Sequence, residues 1–145
     1  MPGEMSEDAR APTWGPGFLR FTTWPYRAEA ALATLAILDA LFLLNVTSRQ
    51  LALVVFWAVL PDLVFIPIGI KAGRGRQWPR WGPALYNATH SLAVWLLVAA
   101  PVALLAPEVA PTLLGWAGHI TADRALGFYL RAGPRDFLPA GGLTH

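Results

Sequence analysis

No cysteine occurs in the chain, which rules out a disulfide framework and any thiolate metal site. A metal ion, if held, must be held by His, Asp, Glu, Asn or backbone oxygen. Charge is scarce as well: 14% of 145 residues are charged and the net charge is +2. The basic residues fall in particular loops instead of along one face, which sets nucleic acid aside as a partner. The glycines of the middle loop fit no phosphate-binding pattern, so no nucleotide site is read there. The first residues lack an apolar core of signal-peptide type, and no cleaved leader is expected.

What the chain does have is apolar bulk. It is 55% hydrophobic with seven Trp, and its mean hydropathy is +0.45. That composition reads as an integral membrane protein of one domain. Four apolar stretches, residues 28–46, 51–70, 84–105 and 111–130, approach the roughly twenty residues that a crossing needs. The expected fold is all-α, a four-transmembrane-helix bundle over residues 27–131. Residues 1–26 form a polar, then aromatic, interfacial segment before it, and residues 132–145 an irregular tail after it. Within the first segment, Trp14, Phe18, Phe21, Trp24 and Tyr26 interleave with Arg20 and Arg27, as suits a stretch lying at headgroup level.

With four crossings, both termini and the middle loop share one side. That side carries Arg10, Arg20, Arg27, Lys71, Arg74, Arg76, Arg80, Arg131 and Arg135, against Arg49 alone on the other. The asymmetry puts both termini in the cytoplasm, with the basic, aromatic loop around Trp78 and Trp81 as an anchor. Membrane lipids are the expected partners, and contact with a phospholipid headgroup is a lesser reading of the same loop.

Ionisable groups inside such stretches cost several kcal/mol unless paired, hydrated or bound to metal. The fourth stretch nevertheless holds His119, Asp123 and Arg124. His119 and Asp123 are four apart and share a helix face, with Gly115 and Gly127 extending that stripe and small enough to admit another helix. Pro61 removes a backbone donor beside Asp62, and the third stretch carries Asn87 and His90 near its start. At the α-helical rise, Asp62, His90 and Asp123 lie about 13, 10 and 11 Å from the cytoplasmic end of their spans, with His119 and Asp39 about one turn deeper. Four helices thus place polar groups in one thin slab.

Two carboxylates and two imidazoles without a thiol suit Zn²⁺ or another first-row divalent ion. The expected metal ligands are Asp62, His90, His119 and Asp123. Arg124 would neutralise charge developing on an oxyanion, and Asn87, Thr89 or Ser91 would orient the ligands. Plainer roles stand beside these. His119 and Asp123 can form a buried ion cluster with Arg124; His90 can be a core histidine bonded to Asn87 or Tyr86; Asp62 can cap the turn near Pro61 or pair with Arg124. Asp39 reads as a partner for a basic group, Glu29 as a partner of Arg27 or a headgroup, and His145 as solvated. Trp57, Trp95 and Trp116 read as lipid-facing or packing residues.

Several of these motifs together resemble a family of small bacterial integral membrane proteins, domain-of-unknown-function family four-two-six-zero, over about residues 26–130. They are Arg27-Ala28-Glu29, Pro61-Asp62-Leu63, Tyr86-Asn87-Ala88-Thr89-His90 and the run from His119 to Leu130. More distantly, Pro61-Asp62, Thr89-His90-Ser91 and His119 to Asp123 followed by Gly127 look like the inner-membrane metal-dependent hydrolases. Additional histidine and aspartate positions of that family correspond here to Leu63-Val64 and Tyr86. The resemblance implies metal-dependent hydrolysis of a lipid-like or amphiphilic substrate. The rival expectation is a non-enzymatic membrane protein, a proton relay, carrier or structural bundle, whose polar cluster only holds the helices together.

Overall fold

The computed structural model describes residues 23–72 and 78–131. Most of the interfacial segment, the centre of the basic loop and the tail with His145 lie outside the described residues, as do the roles expected of them. Within those residues every regular element is helical. Helix α1, Trp24–Leu43, starts at Pro25, whose missing donor is harmless in a first turn. Helix α2, Ser48–Val59, opens on a capping box in which Thr47 accepts from the Gln50 amide and the Gln50 side chain accepts from the Thr47 amide. Pro61 then tightens the chain into a 3₁₀ turn, Leu60–Val64, before α3, Phe65–Ala72. The second stretch is therefore one rod with a tightened middle, and the tightening falls at Asp62.

The third stretch departs from expectation. Instead of one helix it is α4, Gly82–Thr89, and α5, Leu92–Leu105, bent by 52°. A broken helix leaves carbonyls without their amide partners, and they need other donors wherever water is absent. Here the Trp116 indole donates to the Thr89 carbonyl at 2.6 Å, and Arg124 Nη2 donates to the His90 carbonyl at 2.8 Å. Both donors come from α6, Leu114–Leu126, which follows a 3₁₀ turn at Ala110–Leu113. The break is thus made and satisfied by the helix opposite it.

Helix α6 sits at the centre. It buries Gly115, Trp116, Ala117, Ile120 and Thr121 and packs chiefly on α1 and α2. Gly115 permits the α2 crossing, because a methyl group there would collide with the Val54 carbonyl. Gly127 does not continue the stripe as expected. It has φ +97 and ends the helix, with the Phe128 amide donating back to the Asp123 carbonyl at 2.8 Å. Arg27 reaches over from α1 and donates to the Ala125 carbonyl at 2.9 Å, closing the same helix end.

The interior is small and partly polar. Ile68, Leu113 and Ile120 are fully buried, and so are His90 and Thr112. The exterior is apolar: Leu35, Leu38 and Phe42 on α1, Val55 and Phe56 on α2, and Leu96, Leu97 and Leu104 on α5 are all exposed. Trp57, Trp95 and Trp116 act as packing residues within the group around Leu113 and Ile120. Among the described residues one helix, Ser48–Lys71, is long and apolar enough to cross a membrane, and α4 with α5 meets the same standard if the bent pair is one span. Of the four crossings expected, α1 and α6 do not reach that standard alone. The first carries Arg27, Glu29 and Asp39, and the second is 13 residues long and carries His119, Asp123 and Arg124.

Candidate metal centre

Three local devices aim the cluster. The 3₁₀ turn after Pro61 presents Asp62, the break after Thr89 presents His90, and the central face of α6 presents His119 and Asp123. The four side chains meet. His90 Nε2 lies 3.7 Å from Asp62 Oδ1 and 3.6 Å from Asp123 Oδ2. His119 Nε2 lies 3.6 Å from each of the same two oxygens. One ligand atom each from Asp62, His90 and His119 falls within a mutual 4.8 Å, so this group can hold a metal ion.

These separations exceed the ordinary N–H···O range, which ends at about 3.2 Å. They suit a shared ion better: bonds of about 2.0–2.2 Å to a tetrahedral metal imply ligand–ligand edges of about 3.3–3.6 Å. The protonation of His90 points the same way. Its Nδ1 lies 2.9 Å from the Tyr86 carbonyl, which can only accept, so the proton of a neutral ring sits on Nδ1. Nε2 then offers a lone pair, and it has no hydrogen-bond partner although His90 is 1% exposed. His119 Nε2 is equally buried and unpartnered. Two unpaired nitrogens facing two acceptor-only carboxylates is a costly arrangement unless a cation lies between them.

The surroundings are aromatic. The Tyr86 ring stacks on His90 at 3.9 Å between centroids, Phe65 meets Tyr86 at 5.7 Å, and Trp78 meets Tyr86 at 5.7 Å. The Thr89 hydroxyl contacts His90 Nδ1 at 3.0 Å. A cavity of about 230 Å³ opens beside the cluster, lined by Asp62, His90 and Asp123 together with Phe65, Tyr86, Phe128 and Arg131.

The remaining expected residues lie elsewhere. Arg124 donates to the Phe128 carbonyl at 2.7 Å and to the His90 carbonyl at 2.8 Å, and lies over the Tyr129 ring. It braces the end of α6 against the α4–α5 break. Asn87 clamps the Arg131 backbone, donating to its carbonyl at 2.8 Å and accepting from its amide at 2.7 Å. Neither side chain lines the cavity. Asp39 and Glu29 are exposed on α1, outside the cluster. Sequence reasoning missed Arg131 at the cavity, since a basic residue after a span reads first as an anchor.

A family model described as Domain of unknown function (DUF4260) matches residues 26–137. The chain belongs to that family, as its motifs led us to expect. No curated protein and no solved structure matches it. The likeness to inner-membrane metal-dependent hydrolases rests on the residue pattern alone.

Proposed function

We propose that this member of the family is an integral membrane protein holding one divalent metal ion between Asp62, His90 and His119, with Asp123 beside them, and that it hydrolyses an amphiphilic substrate there. The observation that carries the proposal is the pair of buried, unpartnered Nε2 atoms, each 3.6–3.7 Å from the same two carboxylate oxygens. A bound divalent ion supplies Lewis acidity and makes hydroxide available near neutral pH. Asp123, which lines the same cavity and lies outside that ligand set, would take the proton that water there releases. Oxygen from that water bonds to the substrate's acyl or phosphoryl centre, the bond to the leaving alcohol breaks, and the alcohol oxygen takes up the proton. Phe65 and Phe128 give the apolar part of the substrate a surface to lie on.

Membrane insertion is supported by the inverted surface, apolar outside with buried His90 and Thr112 inside. The same proposal has four crossings with both termini cytoplasmic, which the distribution of arginines supports. Polar α6 crosses because its ionisable side chains meet Asp62 and His90 and the carbonyls freed at the α4–α5 break.

Elemental analysis of the full chain purified in detergent tests the reading. About one equivalent of a divalent metal is expected, with a fall in melting temperature after chelation. Metal-free protein whose stability ignores a chelator would overturn it and leave the structural bundle as the better account.

A further inference from the structure

The two imidazoles of the metal reading above, on which this inference rests, stand on different elements, and a shared ion needs both held to within about half an ångström. His119 rides on the central helix α6. His90 stands at the α4–α5 break, where the chain bends by 52° and no continuous helix fixes its place. Its ring has little freedom of its own. Nδ1 lies 2.9 Å from the Tyr86 carbonyl, the Tyr86 ring stacks on the imidazole at 3.9 Å, and the residue is 1% exposed. A ring held in this way moves with its backbone, so the position of Nε2 depends on what holds the break.

Arg124 holds it from α6. Nη2 donates to the His90 carbonyl at 2.8 Å while Nη1 donates to the Phe128 carbonyl at 2.7 Å. The Phe128 amide donates back to the Asp123 carbonyl at 2.8 Å, so one prong of the guanidinium is anchored on the closed end of α6 and the other on the ligand residue. A planar guanidinium sets its donors at a fixed spread, so the two bonds define a separation as well as an attraction, which an ammonium on a flexible stem does not. We propose that Arg124 is a positioning residue of the metal centre. By spanning the Phe128 and His90 carbonyls it holds the broken helix so that His90 Nε2 and His119 Nε2 face one ion. It does not line the cavity and acts on the ion only through His90.

Co²⁺ is the probe, because its visible absorption reports coordination geometry on the same nitrogen and oxygen donors. It is titrated into the full chain in detergent, stripped of other metal, as the parent, Arg124→Gln and Arg124→Lys, with circular dichroism measured on each. The expected result is a folded Arg124→Gln protein whose Co²⁺ affinity falls by about 10–100-fold and whose absorption bands shift, with Arg124→Lys between it and the parent. A merely structural arginine would lower the melting temperature and leave affinity and bands of the folded protein as they are, and that result overturns the inference. If Arg124→Gln does not fold, Arg124→Lys decides alone: weakened binding with shifted bands supports the strut, and parent-like binding overturns it. Loss of the fold in both variants also overturns it, by making the residue structural. A parent that binds no Co²⁺ overturns the function proposed above and this inference with it.

Discussion

Helices α1 and α6 pack against each other, yet they divide the work of the molecule between them. Helix α1 has 20 residues and buries none of them. Helix α6 has 13, buries five, and supplies His119, Asp123, Arg124 and the Trp116 indole. Each carries an aspartate in apolar surroundings, but Asp39 points outward while Asp123 meets two imidazoles. Depth along a helix therefore does not identify a site. Which side of the helix faces the interior does, and that depends on neighbours far away in sequence. The helix at the centre can be polar because others isolate it.

Substitutions can test that division, beginning with the most disruptive. Gly115→Val forces α6 away from Val54. A cost of about 3 kcal/mol or more is expected from overpacking, with loss of bound metal, read by thermal unfolding and elemental analysis. His119→Ala should leave the helices folded by circular dichroism. Its metal affinity should fall by more than the roughly 10–100-fold typical of an outer-sphere change, whereas Asp39→Asn should retain the ion in full. Equal loss in both would erase the contrast between the two helices. Trp116→Phe removes the donor to the Thr89 carbonyl and should cost about 1–3 kcal/mol in a denaturant titration. Leu35→Ala, at a residue 61% exposed on α1, should change stability in detergent by no more than about 0.5 kcal/mol.

Much of the frame was legible. Apolar stretches marked where the helices lie, although the third stretch is two helices and not one. Pro61 marked the tightened turn, since proline removes a donor wherever it stands. Asp62, His90, His119 and Asp123 were legible as a group because helical rise converts sequence distance into depth. The break between α4 and α5 was not, as no proline or glycine stands between Leu85 and Trp95. It depends on Trp116 and Arg124, whose bonds to the freed carbonyls span 27 and 34 residues. Arg124 was read as neutralising charge on an oxyanion; on a helix it diverges from adjacent Asp123, and its hydrogen bonds go to the Phe128 and His90 carbonyls. Asp39 shared the right depth but not the right side of its helix.

The parallel indoles of Trp57 and Trp116, 6.0 Å apart and tilted by 8°, straddle the contact between α2 and α6. Rings so arranged couple their electronic transitions, and the coupling falls steeply with separation. The protein consequently carries an unlabelled optical ruler across the α2–α6 crossing. Near-ultraviolet circular dichroism of the unmodified chain can follow that gap while ligands are added.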